Sequence, residues 1–130
     1  ALDNSHIHLI NPEGLPWLLT KEYKFDTVIL DESTLFKNAS SKRFKNIMRI
    51  LENSSRRILL TGSPTANGLL GLFAQMKALD GGTRLSKYIT YYKRLYFDQS
   101  PYSHYVFTPK PEAYELVSAK IKTNLDIITS

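Results

Sequence analysis

The chain has 130 residues, the size of one domain and enough to bury a core of its own. Its 42% hydrophobic and 22% charged residues exclude wholesale disorder, and the absence of cysteine excludes disulfide frameworks, thiol nucleophiles and cysteine-based metal sites. The net charge of +5 suits a polyanionic partner without requiring one, and no apolar run approaches the roughly 18 residues that cross a membrane.

The first predicted elements are a strand, a turn and a second strand. β-Branched and apolar residues predict a strand over 6–10, which Asn11-Pro12 stops. Residues 13–19 carry Gly and Pro and predict a loop that runs into a short helical turn. The unbroken apolar run 27–30 is typical of a strand buried on both faces of a parallel sheet.

A helix, a strand and a helix follow. Ser40 and Ser41 are N-cap residues, and the apolar residues that follow them recur at helical spacing up to Leu51. Residues 57–60 predict a second buried strand. An amphipathic helix is predicted over 69–79 and stops at Gly81-Gly82. Strand and helix alternating over short connections predict an α/β domain with a parallel sheet and helices on both faces.

The tail has a different pattern. It predicts a helix from Ser86 to Phe97 and then an irregular stretch, before Pro111 opens a last helix. The apolar stripe predicted for this last helix is Leu116, Val117, Ile121, Leu125 and Ile128. We therefore divide the chain into a sheet-containing part, 1–82, and a helical extension, 83–130.

Polar residues follow both buried strands. Asp31 and Glu32 come directly after the first, and Thr61 and Ser63 come after the second. The carboxyl ends of neighbouring parallel strands are where ligands bind in open α/β sheets. One carboxylate there can hold Mg²⁺ through water and the other can orient an attacking water. The alternative for an isolated Asp-Glu pair is an acidic, solvated turn.

Together these segments resemble the Swi/Snf-like branch of the superfamily-two helicases, and most closely its phage-type members. Asp31-Glu32-Ser33 resembles the Asp-Glu box, Phe36-Lys37-Asn38 the Lys-Asn pair after it, and 60–64 with Asn67 the third motif. Further similar stretches are 11–15, 17–19, 68–73, 79–85 and 96–97. The likeness covers nearly the whole chain; Ser63 and Ala66 depart from it, standing where the branch usually has Thr and often has Gln.

The resemblance implies a RecA-like, P-loop NTPase-type lobe of an ATP-driven translocase on nucleic acid, with double-stranded DNA as the expected track. Asp31 is then the Mg²⁺ ligand, Glu32 activates the hydrolytic water, and Thr61, Gly62 and Ser63 couple ATP state to lobe movement. Residues expected on the nucleic-acid side are Glu13, Lys37, Asn38 and Asn67. The expected cofactors are ATP and Mg²⁺, and the expected location is the cytoplasm of a bacterial or phage-infected cell.

No Gly-x-x-x-x-Gly-Lys-Ser/Thr loop occurs in the sequence, so the cradle for the β- and γ-phosphates is not here. The resemblance implies that this loop lies upstream and that the second ATPase lobe lies downstream. We therefore expect a fragment, the carboxyl half of the first lobe, which is inactive alone and capable of self-association. Two alternatives stay open: a non-catalytic module that binds nucleic acid or protein, and a small metal-dependent hydrolase using Asp31 and Glu32.

Three weaker candidates complete the set. His6 and His8, with the distant His104, are too few for a convincing zinc site. The helix predicted after Ser41 is basic. Together with the arginines that follow it, this helix can contact phosphates or can be a solvated face. The tyrosines of the tail can stack on bases, but the helical spacing of Tyr88, Tyr92, Leu95 and Tyr96 favours packing. The basic residues are Lys42, Arg43, Lys45, Arg49, Arg56 and Arg57.

Overall fold

The computed structural model describes residues 6–36, 38–63, 65 and 68–122. Its helices and strands form two units in chain order, a parallel strand pair with its helices and then a helical tail with a short hairpin. The helices are α1 (Leu15–Leu19), α2 (Lys42–Leu51), α3 (Gly68–Asp80), α4 (Ile89–Tyr96) and α5 (Ala113–Ile121). The strands are β1 (Thr27–Asp31), β2 (Arg56–Leu60), β3 (Phe97–Gln99) and β4 (Phe107–Pro109), and 3-10 turns cover Pro12–Gly14 and Ser33–Phe36.

The centre of the first unit is the predicted strand–helix–strand arrangement. β1 and β2 pair in parallel, with Thr27 opposite Arg56 and Asp31 opposite Leu60. α2 connects them and begins where the sequence predicts, because the Ser41 hydroxyl accepts a hydrogen bond from the Phe44 backbone N–H at 3.1 Å. The mixed α/β class with a parallel sheet is confirmed, and the two strands end at the same edge of the sheet.

The sheet has one covered face and one open face. Val28, Leu30 and Leu59 pack with residues of α1, α2 and α3 in what we call the sheet-side core. On the other face Ile29 is 57% exposed and Leu60 is 48% exposed. The prediction of strands buried on both faces, with helices on each, is therefore wrong for the described residues. The buried members of the sheet-side core are Leu15, Leu18, Leu30, Phe36, Phe44, Ile47, Leu51, Ala74 and Ala78.

α3 lies between two cores. Its small residues Ala74 and Ala78 face the sheet-side core, and its larger apolar residues enter a second cluster, the tail-side core. The helix has the predicted span but is buried around most of its circumference, so the prediction of an amphipathic helix is wrong. It ends at Gly81, whose φ of 73° is the left-handed conformation that glycine adopts at helix C-termini. The buried members of the tail-side core are Leu69, Leu72, Phe73, Met76, Leu85, Tyr92, Tyr96, Phe97, Ala113 and Val117.

The tail-side core is built around Tyr92. This ring is fully buried, stacks on Phe73 with centroids 5.0 Å apart, and lies 5.3 Å from the ring of Tyr96. The Tyr92 hydroxyl donates a hydrogen bond to the Leu69 carbonyl at 2.7 Å, which joins α4 to the first turn of α3. Packing is thus the role of Tyr92 and Tyr96, as their spacing predicts, whereas Tyr88 is 68% exposed.

Other parts of the tail depart from the predictions. The helix predicted over 86–97 is shorter, and the stretch predicted to be irregular contains the antiparallel pair β3–β4. α5 begins two residues after Pro111, and its predicted apolar residue Leu116 is 48% exposed. Leu125 and Ile128 lie outside the described residues.

The predicted strand over 6–10 is wrong, since those residues have no regular secondary structure. Ile7 and Leu9 are 80% and 96% exposed, so neither side chain is packed against a strand of the described residues. The loop and helical turn predicted over 13–19 are confirmed as the first 3-10 turn and α1. In the part of the chain that the structure describes, none of the helices is long and apolar enough to cross a membrane.

Candidate functional site

The two polar segments predicted to meet leave the sheet side by side. Asp31 is the last residue of β1 and is paired with Leu60, the last residue of β2. Glu32 therefore follows one strand end and Thr61 follows the neighbouring one. Because the strands are parallel, both segments emerge at the carboxyl edge, where open α/β sheets bind ligands. Asp31 and Glu32 are both exposed there.

Glu32 has a backbone conformation that is rare for its residue type. Its φ of 54° lies in the left-handed region, and among the described residues it is the only non-glycine with a positive φ. This conformation costs about 1–2 kcal/mol for a residue with a Cβ atom. Strained residues of this kind cluster at functional sites, and the surrounding structure must hold them in place. The acidic turn is therefore a constrained feature of the fold.

A buried hydrogen bond lies directly behind that turn. The Ser33 hydroxyl donates to Oε1 of Gln75 on α3 at 2.9 Å. Ser33 is fully buried and Gln75 is 4% exposed, so neither group relies on solvent as its partner. Neither side chain is among the functional residues predicted from the sequence. The available signal was Gln75 itself, an amide within the apolar stretch 69–76 of α3, which needs a hydrogen-bond partner if it is buried.

The second segment forms a tight turn of its own. The backbone N–H of Ser63 donates to the Thr61 hydroxyl oxygen at 3.4 Å. Gly62 is exposed, and a Cβ atom placed on it would meet no atom within 4 Å. The turn thus presents a backbone and two hydroxyl groups at the sheet edge. Hydrogen bonds from these hydroxyls to the carboxylates stay a prediction.

The donor set at this edge fits a magnesium ion. Mg²⁺ binds one or two carboxylates and keeps several waters, so exposed carboxylates beside hydroxyl groups suit it. By contrast, the described part of the chain holds no group of three His, Asp or Glu side chains placed to bind a metal together.

The match to a sequence model described as "SNF2-related domain" covers residues 17–107, well over half of the chain. The chain belongs to the SNF2-related domain family. The predicted resemblance to Swi/Snf-like helicases, phage-type members included, is thereby confirmed.

Relatives of this SNF2-related chain come from a phage and from eukaryotes. It is 36% identical over 97 residues to putative protein p41 of Acyrthosiphon pisum secondary endosymbiont phage 1, matching 67% of this chain and 21% of that protein. It is 36% identical over 67 residues to ATP-dependent helicase FUN30 of Saccharomyces cerevisiae, matching 52% of this chain and 6% of that one. Protein CHROMATIN REMODELING 19 of Arabidopsis thaliana is 33% identical over 57 residues, which cover 44% of this chain and 8% of that protein.

The SNF2-related chain thus spans about a fifth of the phage relative and less than a tenth of these two eukaryotic proteins. No solved structure matches it.

Two of the residues predicted on the nucleic-acid side of this SNF2-related chain have protein partners. Glu13 pairs with Arg43 of α2 at 3.4 Å, and both side chains are largely exposed. The side-chain oxygen of Asn38 accepts hydrogen bonds from the backbone N–H and the hydroxyl of Ser40, at 3.0 and 2.7 Å, so Asn38 shapes the turn before α2. Lys37 and Asn67 lie outside the described residues. Binding of nucleic acid by these four stays a prediction.

The basic residues divide into two kinds. The lysines and arginines of α2 are exposed, in keeping with a solvated or a phosphate-binding face. Arg57 is different, because its guanidinium donates to the Ala78 carbonyl at 3.1 Å and so ties β2 to the end of α3. Arg57 therefore has a structural role in the SNF2-related fold.

The remaining aromatic and histidine candidates belong to two other segments, the loop between β3 and β4 and the residues before the first 3-10 turn. Tyr102 and Tyr105 are 96% and 93% exposed in the loop between β3 and β4. His104 of the same loop contacts the Gln99 amide nitrogen through Nδ1 at 3.2 Å. His8 packs edge-on against Phe25, with ring centroids 6.2 Å apart.

Proposed function

We propose that this chain is part of an ATP-dependent translocase of the Swi/Snf type and supplies its water-activating acid and its coupling turn. The observation that carries the proposal is the parallel pairing of β1 and β2, because it delivers segments 31–32 and 61–63 to one sheet edge. Membership of the SNF2-related family and a relative named as an ATP-dependent helicase support it. In this proposal the parallel pair is one portion of a RecA-like, P-loop NTPase-type lobe.

The two acids have separate roles in this proposal. Asp31 would hold Mg²⁺, and the ion would supply positive charge to the phosphates of bound ATP. Glu32 orients and polarises the water that attacks the terminal phosphate. Its fixed left-handed turn supports this role, since an acid that positions water needs a defined location. The exposed edge leaves room for nucleotide beside both groups.

Thr61, Gly62 and Ser63 form the coupling turn. They follow Leu60, which pairs with Asp31 in the sheet, and the next helix, α3, belongs to both cores. A change in contacts with the acids on loss of the terminal phosphate would therefore reach α3 through a short connection. Ser63 retains the hydroxyl of the threonine usual in this branch, so the coupling contact remains available.

Double-stranded DNA is the proposed track. A net charge of +5 and an exposed basic helix favour a phosphate backbone, and relatives are named as chromatin-remodelling proteins. Lys37, Asn38, Asn67 and Glu13 stay candidates for this contact. The phosphate-binding loop and the second lobe are assigned to other parts of a longer protein, in keeping with the small share of each relative that the chain spans. A phage-infected or bacterial cell is the proposed setting.

The test is turnover by the full-length protein that contains this chain. Glu32→Gln keeps the size of the side chain but removes the charge that polarises water, so we expect DNA-stimulated ATP hydrolysis to fall by about 10²–10⁴-fold. ATP binding, measured by fluorescence of a labelled nucleotide, is expected to remain. Glu22→Gln, at an exposed acid before β1, is the matched control and should hydrolyse ATP at the wild-type rate.

Three outcomes are informative. Normal turnover by Glu32→Gln would remove Glu32 from the mechanism. A wild-type full-length protein that binds DNA and never hydrolyses ATP would establish the non-catalytic binding module instead. The 130-residue chain alone is expected to be inactive, so magnesium-dependent turnover in a clean preparation of it would contradict the assignment of the phosphate loop to another part of the protein.

A further inference from the structure

We infer that Ser33 and Gln75 are a positioning pair that fixes the Glu32 turn against α3. The inference rests on the proposed function and adds to it two residues whose side chains are buried behind the acidic turn. Ser33 follows Glu32 directly in sequence, and its hydroxyl reaches Gln75 across 42 positions of the chain. The pair therefore connects the acidic turn to a distant helix by one defined bond.

Burial makes this bond specific. Among the described residues, the buried polar or charged ones are Ser33 and Gln75, at 0% and 4% exposure. A hydroxyl and an amide without solvent must find protein partners, and each supplies one to the other here. Moving Ser33 away from α3 would leave polar atoms unsatisfied in the interior, so the bond holds one end of the turn at a fixed place.

The turn needs such a restraint. Glu32 is held at φ 54°, a conformation that its residue type does not prefer. The next residue is Ser33, which opens the 3-10 turn Ser33–Phe36 and is tied to α3. On the other side of Glu32, Asp31 is tied to β2 by strand pairing. Glu32 is thus fixed between two anchored neighbours, and the Ser33–Gln75 bond is the anchor on the side away from the sheet.

The same helix also serves the second segment of the site. α3 begins at Gly68, a few residues after the Thr61–Ser63 turn, and Gln75 lies two turns further along it. A displacement of α3 would therefore act on both segments at the sheet edge. It would act on the 61–63 turn because that turn precedes α3 in the chain, and on Glu32 through the bond to Ser33. The pair thus joins the water-activating acid to the helix that follows the coupling turn in the chain.

The test compares single and double variants of the full-length protein. Ser33→Ala and Gln75→Leu should each lower kcat for DNA-stimulated ATP hydrolysis by about 10- to 100-fold, because a small misplacement of Glu32 is enough. The KM for ATP should change less than about twofold, since ATP contacts are not touched. Ser33→Thr keeps the hydroxyl and should recover most of the rate. Ser54→Ala is the control, a serine whose hydroxyl donates to the Leu51 carbonyl at 2.7 Å away from the site.

The double variant Ser33→Ala/Gln75→Leu separates positioning from simple stability. Replacing both partners removes the two polar atoms of this bond together, so thermal stability should be higher than in the less stable single variant. A positioning role keeps kcat low in this stable protein. Recovery of kcat together with stability would overturn the inference. If Glu32→Gln is inactive while Ser33→Ala turns over normally, only this inference fails; if Glu32→Gln is active, the proposed function fails first.

Discussion

The two cores that share α3 differ in how completely they are covered. In the tail-side core Tyr92, Phe73 and Val117 are essentially inaccessible, and apolar residues from three helices and a hairpin surround them. The members of the sheet-side core are also buried, but the opposite sheet face leaves Ile29 and Leu60 about half exposed. The tail packing is complete in itself, whereas the sheet presents the apolar face that α/β proteins cover with a further layer.

That difference matches the different roles proposed for the tail and for the sheet. The covered tail supports α3 from one side, and α3 supports the acidic turn through the Ser33–Gln75 bond. The open sheet face and the sheet edge are where the remainder of a longer motor would add its parts. The next three predictions test this contrast between a closed and an open core.

The largest expected effect comes from emptying the tail-side core. Tyr92→Ala removes a fully buried ring together with its hydrogen bond to the Leu69 carbonyl, and should lower the free energy of unfolding by about 3–5 kcal/mol. Chemical denaturation of the 130-residue chain measures it. Tyr102→Ala, at a side chain that is 96% exposed, should change stability by less than about 0.5 kcal/mol. A loss below about 1 kcal/mol for Tyr92→Ala would show that the tail-side core is loosely packed.

Much of the sheet-side arrangement could be predicted from sequence because its signals are local. Ser41 marks the start of α2, Gly81 marks the end of α3, and apolar runs mark β1 and β2. The meeting of the two polar segments then follows from one rule, that parallel neighbours end at the same edge. Other features depend on partners distant in the chain and could not be predicted in the same way.

The open sheet face is one such feature. The apolar run 27–30 shows that the segment avoids water and does not show which layer covers it, so the prediction of two buried faces was wrong. β3 and β4 have three residues each, too few to show alternation. The Ser33–Gln75 bond joins residues 42 positions apart, and neither residue has a local pattern that names its partner.

A smaller effect is expected at the sheet, and it should depend on which face is changed. Leu30→Thr, on the covered face, should cost about 2–4 kcal/mol in the 130-residue chain and in the full-length protein alike. Ile29→Thr, on the open face, should change the stability of the 130-residue chain by less than about 0.5 kcal/mol, because this side chain is already half exposed.

A comparison of the 130-residue chain with the full-length protein tests whether the open face is covered in the longer protein. If a further layer covers Ile29 in the full-length protein, Ile29→Thr should there cost about 1–2 kcal/mol more than in the 130-residue chain. Thermal unfolding of Leu30→Thr and Ile29→Thr, each in the 130-residue chain and in the full-length protein, gives the four changes in stability. Equal costs at the two lengths would mean that the open face stays open, and the contrast between the cores would then be a property of the whole protein.

The smallest effect tests the hydroxyl group of Tyr92, a buried polar group of the tail-side core. Burial, followed by repulsion from the charged forms of Tyr96 and Tyr114, raises the pKa of Tyr92 above its ordinary value of about 10. The buried ring is therefore stable as the neutral phenol, and its contribution is fully present below about pH 10 and is lost as pH rises beyond it. Alkaline destabilisation should be measurable as a fall in Tm between neutral pH and about pH 11.

Tyr92→Phe separates this titration from that of every other group. Below about pH 10 the variant should be less stable by about 1 kcal/mol, since it loses the bond to the Leu69 carbonyl but keeps the ring stack on Phe73. Above that pH it has no proton to lose at this position, so its stability should fall less steeply and the gap to wild type should narrow or reverse. Parallel pH curves for the two proteins would contradict the assignment, because they would place the alkaline transition outside the tail-side core.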